Sequence, residues 1–319
     1  MTTVITGGSG FIGGYALQKL LARGERVVNA DIRPVGGEQE WYLGADAEKV
    51  ENLQCDITSL SSMVETLRGA DRVIHMAGLI WGDHRRLLDL NLNGTLNVLE
   101  AARLLGIRKV VTFSSIGVLA PAQYEPLDTR HPVLLPDEPP FNGFYSAAKI
   151  ASEASAWAYT TTFGMDVTVV RPCTVYGFGE PPALRIRPMI IDALEGRPTR
   201  CPDGGRVGRS YTHAADVAEV AVLAAFHETP PGGDRIFFAG AEGPLVTQGE
   251  IAELVTELIP GADIEIADVL TPAQEREARY RRDVDISHTK EQLGFEAQFP
   301  TLRDGLIDSV ERYRALLAQ

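Results

Sequence analysis

The chain has 319 residues, of which 45% are hydrophobic and 23% are charged, so we expect it to fold completely around a substantial core. Its formal net charge of −13 argues against a nucleic-acid partner, because that binding depends on a basic surface that neutralises phosphates. Its longest apolar runs are broken by charges or are far shorter than the roughly 20 residues that span a bilayer, so no membrane span is predicted.

The three cysteines, Cys55, Cys173 and Cys201, are far apart and form no Cys-x-x-Cys pair. This spacing predicts buried free thiols rather than a disulfide framework or a metal site. The N-terminus has no basic region ahead of an apolar core, which argues against a secretory signal. We therefore expect a cytoplasmic protein without a bound metal.

The first 115 residues alternate short β-branched runs with amphipathic stretches, which predicts a parallel sheet with helices on both faces. Strands are predicted at Thr3–Thr6, Arg26–Ala30, Glu51–Cys55, Arg72–Met76 and Lys109–Ser114, and helices at Phe11–Arg23, Leu60–Arg68 and His84–Leu105. A Pro-rich connection from Pro121 to Pro140 leads to a helix at Phe144–Phe163 and a sixth strand at Val167–Arg171. The connection is long, so we expect it to lie over the active site.

From Gly177 onward the regular alternation breaks into turn-rich segments, which indicates a smaller, mixed lobe. Helices are predicted there at Ala214–Phe226, Thr247–Leu258 and Thr301–Leu317. The predicted fold class is α/β, with a Rossmann-type doubly wound parallel sheet in residues 1–176. Residues 177–319 are predicted to form a substrate lobe that is interleaved with this first domain.

A glycine-rich loop follows the first strand and enters the first helix, in the sequence Thr-Gly-Gly-Ser-Gly-Phe-Ile-Gly over residues 6–13. In such a loop the first glycine allows a tight turn, the second lets the backbone approach a pyrophosphate, and the third brings helix and strand close together. The helix N-terminus then favours the anionic phosphates. The predicted cofactor-binding residues of this loop are Gly7, Gly10, Phe11, Ile12 and Gly13.

Asp31 ends the second strand, 18 residues after Gly13. A carboxylate there accepts hydrogen bonds from a ribose diol and repels a 2′-phosphate. Arg33 stands close enough to accommodate the extra phosphate of NADP. The position of Asp31 nevertheless favours NAD over NADP.

With these motifs the chain resembles, nearly end to end, the extended short-chain dehydrogenases/reductases of the NAD-dependent epimerase/dehydratase family. Further support comes from Asp56-Ile57, His75-Met-Ala-Gly78 and Asn91-Leu-Asn-Gly-Thr95, in the expected order. The resemblance implies that Asp56 and Ile57 lie against the adenine, that Met76, Ala77 and Gly78 lie beneath the cofactor, and that Asn91 belongs to the same site. The residues alone leave two alternatives open: Asp56 caps a turn, and Asn91 caps or cross-links helices.

Tyr145 and Lys149 lie one helical turn apart in the sequence Phe-Tyr-Ser-Ala-Ala-Lys. A free phenol ionises near pH 10, so an ammonium on the same helix face is suited to stabilise the phenolate. The fifth strand ends in Phe113-Ser-Ser-Ile-Gly-Val118, at the sheet edge where ligands bind in this architecture. The resemblance implies that Ser115 is the catalytic hydroxyl, while Ser114 faces the cofactor or the sheet.

These residues predict hydride transfer to a nicotinamide. Tyr145 would remove or return the proton of a substrate hydroxyl, Ser115 would hydrogen-bond the same oxygen, and hydride would pass between that carbon and the nicotinamide. We expect Lys149, together with the charge of the oxidised nicotinamide, to lower the pKa of Tyr145 and to hold the nicotinamide ribose. A surface lysine one turn after a core tyrosine is the plain alternative.

On the substrate side, Arg171-Pro-Cys-Thr-Val-Tyr-Gly177 resembles the family segment after the sixth strand, which implies that Pro172 lies at the cofactor and Thr174 at the substrate. Many sugar-nucleotide enzymes carry Asn where this chain has Thr174. Arg209 takes the position of the family arginine that grips a nucleotide diphosphate, for which its planar fork is suited. A solvated arginine in a turn is the alternative.

A second phosphate-binding arginine would come from residues 275–282, where spacing does not choose among Arg276, Arg279 and Arg282.

Two sequence features that are missing beside Ser115 narrow the choice of reaction within the family. Ile116-Gly117 follows Ser115 where dehydratases of the family tend to place an Asp-Glu pair, and no cysteine stands beside Ser115 for oxidation through a thiohemiacetal. The first interpretation is therefore an NAD-dependent sugar-nucleotide epimerase that resembles the UDP-galactose 4-epimerase group. The alternative is a net NAD-dependent dehydrogenase of a sugar or another secondary alcohol, similar to the 3β-hydroxysteroid dehydrogenases. A non-catalytic NAD-sensing scaffold is the third hypothesis.

The two long predicted helices, His84–Leu105 and Phe144–Phe163, correspond to the pair that packs against its copy in dimers of the family. The second helix is rich in alanine, which permits close approach of a neighbour. Intramolecular packing on the sheet would also explain these alanines. The resemblance predicts a homodimer.

Overall fold

The computed structural model describes residues 1–135 and 143–318. Its strands, in chain order, are β1 (Thr2–Thr6), β2 (Arg26–Asp31), β3 (Glu51–Gln54), β4 (Arg72–His75), β5 (Lys109–Phe113), β6 (Asp166–Pro172), β7 (Thr174–Tyr176), β8 (Thr199–Cys201), β9 (Gly208–Arg209), β10 (Tyr211–His213), β11 (Ile236–Ala239), β12 (Val246–Thr247) and β13 (Ile264–Ile266).

Its helices are α1 (Phe11–Ala22), α2 (Glu38–Leu43), α3 (Leu60–Thr66), α4 (His84–Leu88), α5 (Gly94–Leu104), α6 (Gly143–Phe163), α7 (Ile186–Leu194), α8 (Ala214–Phe226), α9 (Gln248–Leu258), α10 (Pro272–Tyr280), α11 (Ser287–Leu293) and α12 (Leu302–Leu317). A π-helical turn, Asp89–Asn93, joins α4 to α5. The predicted helix His84–Leu105 is therefore one helical stretch with a wider turn in its middle. None of the helices in the described ranges is long and apolar enough to cross a membrane.

A seven-stranded sheet in the order β11-β6-β5-β4-β1-β2-β3 forms the centre of the fold. Every neighbouring pair in it is parallel. The strand order reverses between β1 and β4, and ligands bind in the crevice beyond the carboxyl ends of the strands at such a point. The predicted Rossmann-type sheet and the six predicted strands are confirmed, with ends shifted by at most one residue.

The seventh strand, β11, was not predicted. Its apolar run of four residues, Ile236–Ala239, pairs with β6 at the edge of the sheet. A run this short cannot be assigned to a strand or a buried helix from its pattern alone. The chain therefore returns to the Rossmann sheet after residue 177, and the division at residue 176 with its interleaved lobe stays a prediction.

Helices cover both faces of the sheet. On one face, α1 and α8 pack together above a core that includes Ile5, Val111 and Phe238. On the other face, α3 and α5 cover a core that includes Val73 and Val110. Two covered faces explain why the central strands β4 and β5 bury nearly every residue rather than every second one, whereas the edge strand β3 is exposed.

A third core lies in the C-terminal part of the chain. Tyr176, Met189, Ile251 and Val310 are buried there with further residues of α7, α9 and α12. Three two-stranded pairings, β7 with β10, β8 with β13 and β9 with β12, connect the loops around this core. The predicted smaller, mixed lobe is therefore present.

The Pro-rich connection is described as far as residue 135. Leu127 pairs with residues of the C-terminal part: its N–H donates to the carbonyl of Asp283, and its carbonyl accepts from the N–H of Asp285, both at 2.8 Å. Residues 136–142 lie outside the described residues. That the connection lies over the active site stays a prediction.

We expect Phe238→Ala to lower the free energy of unfolding by about 3–5 kcal/mol, because its ring is fully buried in β11 and its removal leaves a cavity. Urea unfolding followed by circular dichroism measures the loss. The control is Phe226→Ala, at the exposed end of α8, which should cost about 1 kcal/mol or less. Equal losses in the two variants would contradict the integration of β11 into the core.

Candidate active site

The three predicted catalytic residues lie together at the carboxyl end of β5. Lys149 is 6% exposed, and its Nζ donates to the carbonyl of Phe113 at 2.7 Å. Ser115 caps the following 3₁₀ turn, since its Oγ accepts from the N–H of Gly117 at 3.1 Å. Tyr145 hydrogen-bonds the side chain of Ser115. Helix α6 thus delivers a phenol and an ammonium to the hydroxyl that ends the strand.

Burial controls the pKa of the Tyr145 phenol in the cofactor-free chain. Burial raises the pKa of its phenol to about 12, and the hydrogen bond with Ser115 offsets only part of that increase. Lys149 Nζ lies 5.7 Å from the centre of the Tyr145 ring and is directed at a carbonyl instead. Removal of the phenolate from water therefore dominates in the cofactor-free chain, and the lowering of the Tyr145 pKa by Lys149 together with the oxidised nicotinamide stays a prediction.

Burial also lowers the pKa of Lys149, to about 8, while the charge of Glu153 raises it. Glu153 lies one turn further along α6, and its carboxylate is held bidentately by Arg171 of β6, at 2.8 and 2.6 Å. His75, on the sheet beside Lys149, is buried between the hydroxyls of Thr6 and Thr95. Burial, followed by the charge of Lys149, lowers its pKa to about 3, so His75 is neutral at physiological pH.

The glycine loop has the close contacts that dinucleotide binding requires. A Cβ on Gly13 would lie 2.3 Å from the carbonyl oxygen of Gly7, and a Cβ on Gly7 would lie 2.7 Å from the amide nitrogen of Ala77. A Cβ on Gly10 would meet only the Gly7 oxygen, at 3.0 Å. No side chain caps the N-terminus of α1, whose first residues are Phe11 and Ile12. This open helix end suits the phosphates of NAD.

A further polar atom suits the same ligand. The buried hydroxyl of Ser114 has no hydrogen-bond partner within the described part of the chain, although buried polar atoms are usually paired. The residue lies at the end of β5, next to Ser115. The residues at this edge of the sheet therefore fit NAD.

Asp31 ends β2, and its Oδ1 accepts from the N–H of Arg33 at 3.1 Å. The carbonyl of Arg33 accepts from the Ser9 hydroxyl at 2.8 Å, so the turn after β2 is tied to the glycine loop. The Arg33 side chain is exposed. This arrangement keeps the Asp31 carboxylate beside the glycine loop, where the ribose interaction was predicted.

The sequence analysis missed a partner of this loop. A Cβ on Gly8 would lie 2.4 Å from Oδ1 of Asn29, a buried residue of β2 whose amide nitrogen donates to Ser9 and Asn52. An asparagine inside an otherwise apolar strand was the available signal. Asn29 therefore packs against Gly8 and holds Ser9, both of which belong to the glycine loop.

Asp56 adopts the turn-capping alternative. Its Oδ1 accepts from the N–H and the hydroxyl of Thr58, at 2.9 and 2.8 Å. The side chain of Ile57 is buried against Gly94, and its carbonyl accepts from the Asn97 amide at 2.9 Å. Their contact with the adenine stays a prediction that rests on the resemblance.

Asn91 also adopts its structural alternative, as a cross-link. Its buried amide nitrogen donates to the carbonyls of Leu79 and Leu87, at 2.8 and 3.0 Å, and its Oδ1 accepts from the N–H of Leu79. Asn91 thereby fixes the backbone after the segment Met76–Gly78. Gly78 itself lies against Lys149, because a Cβ there would be 3.6 Å from Nζ. The predicted segment beneath the cofactor and the catalytic lysine are therefore adjacent.

On the substrate side, Pro172 is the buried last residue of β6, and Thr174 begins β7. The N–H of Thr174 donates to the carbonyl of Ser210 at 3.0 Å, which brings the segment of Arg209 next to it. Cys173, which lies between Pro172 and Thr174 in the chain, is buried, and burial raises the pKa of its thiol to about 11. Cys173 and Cys55 are buried free thiols, as predicted, whereas the free thiol of Cys201 is only half-buried, so the predicted burial is wrong there.

Arg209 is not a solvated turn residue. Its side chain is 20% exposed, and Nε and Nη2 donate to the two carboxylate oxygens of Glu277 in α10, at 2.9 and 3.1 Å. Arg281 donates to the same carboxylate, through Nη2 at 2.5 Å and Nε at 3.1 Å. Which arginine of residues 275–282 binds a second phosphate stays open, but the arginine beside Arg209 is Arg281, which the sequence analysis did not name. The four-residue spacing of Glu277 and Arg281 on one helix was the signal that could have identified it.

The described residues contain no group of three or more His, Cys, Asp or Glu side chains placed to hold a metal ion.

Comparison with known proteins gives a consistent result. The sequence profile of the NAD dependent epimerase/dehydratase family matches residues 3–238. The chain is 29% identical to a UDP-glucose 4-epimerase of Mycolicibacterium smegmatis, over 98% of this chain and 99% of that protein. It is 30% identical to sterol demethylase protein B of Methylococcus capsulatus, over 81% and 74% of the two chains. The fold matches a UDP-glucose 4-epimerase of Thermotoga maritima, solved with UDP-glucose, with a TM-score of 0.83 at 23% identity, covering 99% of this chain and 100% of that one.

We expect Lys149→Met to stabilise the cofactor-free protein at pH 7. The Lys149 pKa is about 8 in the folded protein, against an ordinary value of 10.5. Below pH 8 the buried charge therefore lowers the free energy of unfolding by its full amount. Between these values the folded state releases its proton first, and the cost disappears as pH rises. The stability gap between variant and wild type should therefore shrink by about 3 kcal/mol from pH 7 to pH 10.5.

Urea unfolding at several pH values measures this gap. Lys49→Met, at an exposed position, is the control and should give a gap that varies little with pH. A gap between Lys149→Met and wild type that widened as pH rose would contradict the burial of an ammonium at residue 149.

Proposed function

This chain belongs to the NAD dependent epimerase/dehydratase family and is an NAD-dependent enzyme, and on that premise we propose that it is a sugar-nucleotide epimerase. It would transiently oxidise a secondary alcohol of a nucleotide sugar and then reduce the ketone from the opposite face. The observation that carries this proposal is the meeting of Ser115, Tyr145 and Lys149 at the carboxyl end of β5. The similarity to the UDP-glucose 4-epimerase of Mycolicibacterium smegmatis supports it.

The glycine loop, Asp31 and Lys149 would hold NAD, which supplies the hydride acceptor when bound. Tyr145 would take the proton of the substrate hydroxyl and later return it, and Ser115 would donate a hydrogen bond to the same oxygen. Because burial holds the Tyr145 pKa near 12, the phenolate needs positive charge beside it. Lys149 would supply that charge if its ammonium turned from the Phe113 carbonyl toward the phenol and the nicotinamide ribose.

A second candidate is a net NAD-dependent dehydrogenase of a secondary alcohol. One observation favours it: the donor edge of Arg209, the residue expected to grip a nucleotide diphosphate, is already bonded to Glu277. An alcohol without a diphosphate would not require that arginine. The similarity to sterol demethylase protein B supports the same reading.

Product analysis separates the two candidates. The purified protein is incubated with NAD and UDP-glucose or UDP-galactose, and nucleotide sugars are separated by chromatography while absorbance at the NADH band is followed. Interconversion of the UDP-sugars without net NADH is the expected result. Accumulation of NADH with a UDP-sugar, a sugar or a steroid alcohol would overturn the epimerase in favour of the dehydrogenase.

We expect Tyr145→Phe to lower kcat at least about 100-fold, because it removes the acid/base group, while NAD affinity changes less than about twofold. Steady-state kinetics and calorimetric titration with NAD measure the two effects. Tyr159→Phe is the matched control, since Tyr159 lies on the same helix and hydrogen-bonds Glu100; its kcat should equal that of wild type. Full activity of Tyr145→Phe would exclude this mechanism, whereas loss of turnover in this variant would exclude the non-catalytic NAD-sensing scaffold.

We further propose that the enzyme is a homodimer joined through α5 and α6. Ala147, Ala154 and Trp157 follow one another on α6 at a spacing of seven and three residues, and all three are exposed, Trp157 by 70%. Residues at that spacing share a helix face. The opposite face, with Ala148 and Ala156, is buried in the protein, so intramolecular packing accounts for only part of the alanine content.

Sedimentation velocity tests this proposal. Wild type should sediment as a dimer, and Trp157→Lys should shift it to a monomer because a charge would have to be buried in the interface. Val269→Lys, at another exposed apolar position, should leave the dimer intact. A wild-type protein that sediments as a monomer would refute the assignment.

A further inference from the structure

Arg209, Glu277 and Arg281, here called the Glu277 cluster, form an ionic group beside the active-site edge of the sheet. The Glu277 side chain is 7% exposed, whereas the side chains of Arg209 and Arg281 are 20% and 27% exposed. Both arginines are therefore partly exposed to solvent, whereas the carboxylate that they share is buried. The charge of Arg281 also affects the buried thiol of Cys173, which follows the last residue of β6.

The Glu277 carboxylate accepts hydrogen bonds from the guanidinium N–H groups that would otherwise bind a phosphate. Oε1 of Glu277 accepts from Nε of Arg209 and from Nε and Nη2 of Arg281, and Oε2 accepts from Nη2 of Arg209. The forked edge of Arg209 is thus filled, and its Nη1 is 3.5 Å from the Tyr211 hydroxyl. Bidentate binding of two phosphate oxygens requires the same Nε and Nη2 geometry.

The net charge of the Glu277 cluster is smaller than that of its two arginines alone. The two arginines lower the pKa of Glu277 despite its burial, so the carboxylate is ionised at neutral pH. Two guanidinium groups and one carboxylate leave the cluster with a single positive charge, whereas the two phosphates of a nucleotide sugar carry two negative charges. A diphosphate therefore meets a site with one of its two positive charges already neutralised.

We propose that Glu277 is a specificity-determining residue that competes with the diphosphate of the substrate for Arg209 and Arg281. The proposal rests on the nucleotide-sugar substrate of the proposed function. Tight binding of a diphosphate requires the Glu277 carboxylate to leave at least Arg209. Ligands with less negative charge are correspondingly less disfavoured.

Calorimetric titration with UDP and with uridine tests the proposal without using activity. Glu277→Gln keeps the shape of the side chain but removes its charge, so we expect it to bind UDP roughly tenfold more tightly than wild type, with unchanged affinity for the neutral uridine. Glu275→Gln is the matched control: Glu275 is exposed on the same helix, the change in net charge is the same, and UDP affinity should change less than about twofold.

Two further variants keep the test decisive. Glu277→Asp is shorter and cannot bridge both arginines, so an intermediate gain in UDP affinity is expected even if Glu277→Gln folds poorly. Adding Arg209→Met to Glu277→Gln should abolish the gain, because the released arginine is then missing.

The outcomes separate this inference from the proposed function. Equal or weaker UDP binding by the Glu277 variants would show that Glu277 only orients the arginines, and would overturn the inference while leaving the nucleotide-sugar substrate in place. If neither wild type nor the variants bind UDP although all bind NAD, the proposed nucleotide-sugar substrate fails, and the inference fails with it.

Discussion

The hydrogen bond from the Lys149 ammonium to the Phe113 carbonyl is the contact on which the geometry of the site depends. Ser115 belongs to the end of a strand and Tyr145 to a helix that starts some thirty residues later in the chain, so nothing local brings them together. The lysine joins helix and strand at the point where the catalytic hydroxyls must meet. Burying its charge is costly, and the ion pair of Glu153 with Arg171 lies beside it and offsets part of this cost.

The cofactor side and the substrate side of the site are built by different means. On the cofactor side, backbone atoms and small residues determine the shape, and the close approaches at Gly7 and Gly13 leave no room for a side chain. On the proposed substrate side, long charged side chains such as Arg209 and Glu277 pair with one another. The first arrangement requires one ligand geometry, whereas the second can be retuned by a single charge.

This difference also explains how far the sequence could be read. The glycine loop, Asp31 and the strands were predictable because their signals are local patterns of glycine, charge and β-branched residues. The four-residue strand β11 and the pairing of Arg209 with Glu277 were not predictable, because both depend on contacts between residues far apart in the chain. The raised pKa of Tyr145 was missed for a related reason: the spacing to Lys149 is visible in sequence, but the burial that opposes its effect is a property of the fold.

The return of the chain to the sheet at β11 has a consequence for how the protein can vary. Residues 173–213 leave the seven-stranded sheet after β6, and α8 and β11 bring the chain back to it, so the loops that join α7 and β8 to β10 lie in a segment whose two ends are fixed. The entropy of closing such a loop rises only with the logarithm of its length, about 0.6 kcal/mol for each doubling. Insertions and deletions in this excursion are therefore cheap for the fold, whereas a chain cut at residue 176 would lose the strand and the helix that complete the cofactor half.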